Sequence, residues 1–214
     1  MITKERSIGW SKLMFISLLP IAFALLVSFS YLDFKPALLK NSEYEINSTS
    51  VNNIKIGEVK WVNNKVFNTS ELNSAFSLKK GDAFTKEAVD KGLDENVANL
   101  YLNKGYLFLN IEKTEIPKGK RVMDLIFTVN EGDRFKIGTI QVKGNKTVTT
   151  SDILSKISLH PGDFFSKAKL IESVRTLSMW NKFDPQKIKP DLAPEKMPEN
   201  EFGSINLTFE VTEK

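Results

Sequence analysis

The sequence predicts an α+β protein built from two copies of one β-α-α-β-β unit. The main observation is a repeat at a spacing of 81 residues. Ile56-Gly57 recurs as Ile137-Gly138, and Leu78-x-x-Gly81-Asp82-x-Phe84 recurs as Leu159-x-x-Gly162-Asp163-x-Phe165. Each copy also closes on a segment in which apolar and polar residues alternate, as in a strand with one buried face. Such a sheet needs cover on its apolar face, and two amphipathic helices in each unit can supply it.

An uncharged segment precedes the repeats. Residues 13–32 form a run of twenty residues without Asp, Glu, Lys or Arg, which is long enough for a helix to cross the ~30 Å hydrocarbon core of a bilayer. Residues 1–12 carry three basic residues and one acidic residue, which places them in the cytoplasm and the remainder of the chain outside it. We therefore predict a transmembrane anchor at 13–32. A cleaved signal peptide, with Ser28-Phe29-Ser30 near the cut, is the alternative.

The remaining chain divides into a tether and two domains. Residues 33–53 are polar and rich in Asn and Ser, which predicts a flexible tether. The first unit is predicted at residues 54–132 and the second at 133–214. Since the join Gly132-Asp133-Arg134 is short, we expect the two units to keep a restricted relative orientation.

Each unit is predicted to open with a strand and a turn. Alternate residues of this strand would share one face, namely Gly57, Val59 and Trp61 in the first unit and Gly138, Ile140 and Val142 in the second. The turn would follow at Asn63-Asn64 and at Gly144-Asn145, because Asn and Gly tolerate positive φ.

Two helices would follow the turn in each unit. The predicted N-caps of the first helix are hydroxyl residues: Thr69 or Ser70, and Thr150 or Ser151. The predicted N-caps of the second helix are Thr85 and Ser166. The second helix carries an apolar stripe at helical spacing, made of Val89, Leu93, Val97 and Leu100 in one unit and Leu170, Val174 and Leu177 in the other. Gly105 and Asn181 would end it.

Two strands would complete each unit. The middle strand is predicted at Tyr106–Thr114 in the first unit and at Phe183–Asp191 in the second. The last strand alternates from Met123 to Val129 and from Ile205 to Val211, so one of its faces should be buried.

Few residues are suited to catalysis or metal binding. The chain has no cysteine and a single histidine, His160, which excludes thiolate sites and multi-histidine metal centres. Asp82 and Asp163 are predicted to serve turn or helix-terminus chemistry, because no second acidic cluster accompanies them. The net charge is +4, of which +2 lies in residues 1–32, too little for a nucleic-acid footprint. We therefore predict no enzyme, no cofactor, no metal and no nucleic-acid partner.

The repeated pattern resembles the POTRA domain, the polypeptide-transport-associated module. The resemblance is carried by the motifs IGTIQVKGN (137–145), LHPGDFFS (159–166), NLYLNKGY (99–106) and FEVTE (209–213). It is most similar to the last two POTRA domains of the BamA type of outer-membrane protein assembly factor. Those proteins continue into a β-barrel, whereas this sequence ends at Lys214, which predicts a barrel-less relative or a truncated receptor.

The resemblance implies a non-enzymatic module of outer-membrane protein assembly. In POTRA domains the middle strand lies at the sheet edge, and an extended polypeptide can add to such an edge by β-augmentation. In the second unit, Pro185 and Pro190 would weaken this pairing. The client edge is therefore predicted in the first unit, at Tyr106, Leu107, Phe108, Leu109, Asn110, Ile111 and Glu112.

The expected partners are unfolded outer-membrane proteins or subunits of their assembly machinery, with residues 13–32 in the membrane. The expected location is the envelope of a Gram-negative bacterium, with the C-terminal part in the periplasm whether or not the N-terminal segment is cleaved. An alternative is an anchored scaffold of the cell-division machinery, a class that also places a POTRA domain after a single transmembrane helix.

Overall fold

The computed structural model describes residues 54–196 and 201–214 and confirms the α+β fold, with a three-stranded mixed sheet in each of two successive units. The first unit consists, in chain order, of β1 (Lys55–Val62), α1 (Thr69–Phe76), α2 (Lys86–Lys91), a π-helical segment (Gly92–Val97), α3 (Ala98–Leu102), β2 (Asn110–Lys118) and β3 (Val122–Asn130). Its sheet has the order β1-β3-β2, in which β1 runs parallel and β2 antiparallel to the central β3.

The second unit repeats this order. It consists of β4 (Phe135–Lys143), α4 (Thr150–Leu154), α5 (Lys167–Met179), a 3-10 helix (Pro185–Lys187), β5 (Lys189–Glu195) and β6 (Gly203–Glu210). The sheet order is β4-β6-β5, again with one parallel and one antiparallel neighbour of the central strand.

In each unit the helices cover the apolar face of the sheet. The predicted stripe residues Val89, Leu93 and Val97 are buried in the first core. After them the buried residue is Tyr101 rather than the predicted Leu100, which packs against the core only in part. The π-helical segment explains this shift, because its wider turn advances the inward face by one residue. In the second unit α5 is regular, and Leu170, Val174 and Leu177 are all buried as predicted.

The first strand of each unit contains a β-bulge, which corrects the predicted facing of its residues. Ile56 and Ile137 face the cores in place of the predicted Gly57 and Gly138. A Cβ on Gly57 would point at Asp124, and one on Gly138 at Ser204 and Asn206, on the other face of the sheet. The register with the central strand shifts between Ile56 and Val59, and between Ile137 and Ile140. One extra residue in a strand reverses the alternation beyond it. The N–H of Glu58 is taken up at the bulge by Asp124 Oδ1 at 2.8 Å.

The turns and the caps of the second helices agree with the prediction, whereas the caps of the first helices differ by one residue. Asn63 and Gly144 both have positive φ, at 64° and 88°. Thr85 and Ser166 cap their helices as predicted. The caps of α1 and α4 lie one residue before the predicted positions, at Asn68 and Thr149, because these side chains accept the N–H three residues ahead.

The join between the units is a close contact as well as a short connection. The N–H of Phe135 donates to the carbonyl of Gly105 at 2.9 Å, and Asn103 Oδ1 accepts the N–H of Ala168 at 2.8 Å. Gly105 has a φ of 92°, and a Cβ there would lie 2.9 Å from the Phe135 oxygen. The helix end of the first unit is therefore hydrogen-bonded directly to the first strand and the second helix of the next unit.

Within the described residues, no helix is long and apolar enough to cross a membrane. The predicted anchor at 13–32 and tether at 33–53 lie outside the residues that the structure describes.

Candidate binding surface at the sheet edges

The middle strand of each unit lies at an edge of its sheet, since β2 pairs with β3 and β5 pairs with β6 on one side only. Both middle strands begin later than the sequence predicted. The first begins at Asn110 instead of Tyr106, and the second at Lys189 instead of Phe183. The residues that precede each strand, 106–109 and 183–188, include apolar ones and so resemble a strand in the sequence. In the structure they lie in the connection from the last helix of the unit to its middle strand.

The first four predicted edge residues lie in this connection. Tyr106 forms an isolated bridge to Arg134, and Leu109 is buried in the first core. Leu107 is 4% exposed and packs in the core of the second unit. Phe108 is 42% exposed, and its ring lies 5.2 Å from the ring of Phe135. The side chains of Leu107 and Phe108 therefore contact the second unit, and none of the four residues lies in β2.

The other three predicted residues lie in β2. Asn110, Ile111 and Glu112 are opposite Asn130, Val129 and Thr128 of β3. Ile111 packs against the first core, while Glu112 is exposed. The structure therefore splits the predicted set into a junction part (Tyr106–Leu109) and an edge part (Asn110–Glu112).

The direction of the main-chain groups along β2 follows from the hydrogen bonds of β1 and the register. Ile56 faces the core and bonds through its N–H and C=O to Asp82 and Gly81, away from β3. Val59 and Trp61 face the same core, so Lys60 between them points toward β3 and bonds to the residues on either side of its partner Ile126. Those β3 residues therefore point toward β1, and the intervening ones, including Ile126 and Thr128, point toward β2. Their partners in β2 are Thr114 and Glu112, which leaves the N–H and C=O groups of the alternate residues directed outward. The outward residues are Ile111, Lys113 and Glu115.

The same reasoning gives a different result in β5. Here the inward residues are Asp191 and Ala193, opposite Thr208 and Asn206 of β6. The outward residues are Pro190, Leu192 and Pro194. Proline has no N–H, so two of these three positions cannot donate a hydrogen bond to an added strand. The prediction of Pro185 as a strand residue is wrong, because it lies in the 3-10 helix before β5. Pro190 lies in the strand as predicted, and Pro194, which the sequence did not single out, lies on the same outward side.

An ion-pair cluster covers the helix-facing side of β2. Lys113 Nζ lies 2.6 Å from Asp90 Oδ1 of α2 and 3.2 Å from Glu115 Oε1. Burial opposes the charge of Lys113, but its hydrogen bond to Asp90 and the charge of that carboxylate hold the pKa above its usual value. Burial, followed by the charge of Asp90, raises the pKa of Asp94. The cluster fixes the edge strand against the helices without using its outward main-chain groups.

Two glutamates hold the turn after the first strand, a role that the sequence analysis missed. Glu131 Oε1 accepts the N–H groups of Lys65 and Val66, both at 2.8 Å. Glu213 accepts the N–H groups of Lys146 at 2.6 Å and Val148 at 3.0 Å, together with the Thr147 N–H and hydroxyl. The hydroxyl of Thr147, followed by these N–H groups, lowers the pKa of Glu213 to about 2. The repeated Val-x-Glu at the end of each unit was the available signal.

The other singled-out polar residues lie in turns. Asp82 Oδ2 accepts the N–H of Lys79 at 2.9 Å, and Asp163 Oδ2 accepts that of His160 at 3.2 Å. The His160 side chain is exposed, with Nδ1 3.6 Å from Asp163. No group of three His, Asp or Glu residues that could hold a metal ion occurs in residues 54–196 or 201–214.

Comparison with known proteins places the chain among assembly-factor relatives. A Treponema pallidum protein named as an outer membrane protein assembly factor is 30% identical over 162 residues, which are 75% of this chain and 18% of that protein. The outer membrane protein assembly factor BamA of Buchnera aphidicola is 25% identical over 128 residues, 55% of this chain and 21% of that protein. The chain thus spans about a fifth of the length of these relatives.

The fold also matches a solved structure. The crystal structure of Haemophilus influenzae BamA POTRA3-5 superposes with a TM-score of 0.58 at 12% identity, covering 76% of this chain and 61% of that one. The family model described as POTRA, surface antigen variable number repeat, matches residues 54–132 and again residues 135–214. Since these two matches cover most of the chain, the protein belongs to the POTRA family and contains two of its domains in tandem.

Proposed function

We propose that this protein is a non-enzymatic periplasmic module of outer-membrane protein assembly, which binds client or machinery polypeptides by β-augmentation. Family membership and the names of the relatives support the assembly role. The observation that carries the binding mode is the outer side of β2, where three successive outward residues retain their N–H groups. In this proposal residues 13–32 anchor the chain in the membrane, and the two domains lie in the periplasm of a Gram-negative bacterium.

The edge of β2 offers the chemistry that an extended polypeptide requires. An added strand pairs its own N–H and C=O groups with those of Ile111, Lys113 and Glu115, so recognition depends little on the client sequence. Side chains on the open face of the sheet, such as Glu112 and Thr114, then contact alternate side chains of the client. Of the residues predicted for this edge, Asn110, Ile111 and Glu112 remain in the proposed site. Pro117 ends it on the far side.

Site-specific photocrosslinking in cells tests this proposal. A photoreactive residue at Thr114 of β2 has a matched control at Asp191 of β5, since each is the inward residue at the equivalent place in its sheet. We expect adducts to unfolded outer-membrane proteins or assembly subunits from position 114 and few from 191. Adducts to cell-division proteins would favour the scaffold instead.

A proline at Glu115 tests the binding mode separately from the partner. Its N–H points outward and takes no part in the ladder, so Glu115→Pro should leave the sheet intact, as natural Pro117 does two residues later. We expect it to abolish the Thr114 adducts, while Glu115→Ala retains them. If both variants crosslink equally, binding does not use the main chain of β2.

A further inference from the structure

The opposite edge of the first sheet is closed over only half of its length. The N-terminal half of β1 is bonded to the turn that follows α1: Ile56 donates to Asp82 and accepts from Gly81, and the carbonyl of Ile54 accepts from Phe84. Beyond the bulge, Val59 and Trp61 have side chains that face the core, as Ile56 does, so their main-chain groups also point outward. In the described part of the chain, no turn or loop hydrogen bond satisfies them.

A groove runs beside this open half. It has a volume of about 550 Å³, within the range typical of ligand clefts. The strand side is lined by Gly57, Glu58 and Val59. The opposite wall is the C-terminal part of α1 and the turn after it, with Asn73, Ser74, Ser77, Leu78, Lys79 and Lys80. A strand edge facing a helix across a groove is the arrangement that accepts an added peptide strand.

The charges of the groove indicate which peptide it accepts. Lys79 and Lys80 are both exposed, and neither forms an ion pair within the described residues. Glu58 is the one acidic residue in the lining. At the equivalent positions of the second unit stand His160 and Pro161, so the two lysines are particular to the first groove.

We propose that the groove between β1 and α1 binds an extended acidic polypeptide segment, which adds to the edge at Val59 and Trp61 and places its carboxylates against Lys79 and Lys80. The proposal rests on the module being a polypeptide-binding one, and it adds a second site of defined charge preference to the edge at β2. Opposite edges of one sheet are then used, so a client on β2 and an acidic partner on β1 can be bound at the same time.

Binding of a defined peptide to the full-length chain in neutral-lipid nanodiscs tests the charge preference. The probe is a short labelled peptide that alternates Glu and Val, compared with one that alternates Gln and Val. We expect the Glu peptide to bind at least about tenfold more tightly, and less tightly as salt is raised. Lys79→Glu with Lys80→Glu should remove this preference, whereas Lys118→Glu with Lys120→Glu, which changes the net charge equally, should retain it. Equal binding of the two peptides, or equal loss in both double variants, would overturn the proposal.

Crosslinking from Ser74 distinguishes binding in the groove from binding at the β2 edge. Ser155, the equivalent residue of the second unit, is the matched control. Adducts to a second protein from Ser74 that persist in Glu115→Pro support the groove. Adducts from Thr114 without any from Ser74 would refute the groove and leave the proposed function standing, whereas loss of both refutes both. Adducts from Ser74 to residues 33–53 of the same chain would show that the groove is filled from within, and would overturn the assignment to a partner.

Discussion

The two domains share a topology but offer different edges to an extended partner. In the first domain the outward positions of the middle strand are Ile111, Lys113 and Glu115, each with an N–H group. In the second they are Pro190, Leu192 and Pro194. Edge strands are prone to unwanted pairing, and proline is one of the residues that prevents it. This contrast is the basis for proposing that the first edge accepts an added strand and that the second resists one.

The domains also depend on each other unequally. Leu107 follows the last helix of the first domain, yet it is buried in the core of the second. The described contacts therefore make the second domain incomplete without a residue from the first.

The largest expected effect comes from breaking this dependence. Leu107→Ala should destabilise the second domain by about 2–5 kcal/mol, because it leaves a cavity in the core of that domain although the residue belongs to the sequence of the first. Leu109→Ala should instead destabilise the first domain, where that side chain is buried. Amide hydrogen exchange resolved by domain distinguishes the two. Loss of protection in the first domain alone for both variants would show that Leu107 does not support its neighbour.

A somewhat smaller effect is expected at the turn after the first strand, where the domains carry different residues. Gly144 has a φ of 88°, and a Cβ there would lie 2.1 Å from the carbonyl oxygen of Val211. Gly144→Asn, which copies the first domain, should therefore cost about 1–3 kcal/mol. The reverse change, Asn63→Gly, should change the free energy of unfolding by less than about 1 kcal/mol. Asn63 already adopts positive φ, so the backbone of the first domain accommodates a side chain at this position. Denaturant unfolding measures both, and equal costs would contradict the asymmetry.

These differences show what the sequence could and could not predict. The repeat, the alternating last strands and the helical stripes depend on local spacing, and they predicted the fold, the buried face of α5 and the positive φ of Asn63. The bulges at Gly57 and Gly138 escaped prediction, because an inserted residue is defined by the neighbouring strand. The N-caps Asn68 and Thr149 lie one residue before the predicted positions, because several adjacent polar residues in the sequence are each able to cap a helix.

The edge position of the middle strand was predictable from the sequence, whereas the residue at which the strand begins was not. The family pattern placed the middle strand at the edge, and the structure agrees. The side chains from Tyr106 to Leu109 do not all face one core, because Leu107 is buried in the second core and Leu109 in the first. Four consecutive apolar residues resemble a strand in the sequence, which is why the strand was predicted to begin too early. Which side of β5 its prolines face depends on the register with β6, and that register is a tertiary property.

Restoring N–H donors to the outward side of β5 should let this edge accept an added strand as proposed for β2, with little effect on stability. Pro190→Thr with Pro194→Thr gives β5 three outward N–H groups, as in β2. Since the substitutions lie at an edge, we expect the free energy of unfolding to change by no more than about 1 kcal/mol. A photoreactive residue at Asp191 should then capture the partners that Thr114 captures. If Asp191 remains silent in a folded variant, the prolines are not what distinguishes the two edges.

The smallest effect concerns the glutamates that close the two domains. Hydrogen bonds lower the pKa of Glu213 from 4.5 to about 2 in the folded state. A depressed folded-state pKa contributes stability above the unfolded value, and that contribution is lost as the pH falls from about 4.5 toward 2. Glu213→Gln should therefore lower the melting temperature of the second domain at neutral pH, with a difference from the parent chain that narrows over this range. Glu172→Gln removes an exposed carboxylate of α5 and matches the change in charge. A gap between parent and Glu213→Gln that stays constant down to pH 2 would show that the carboxylate holds the turn by shape and not by its charge.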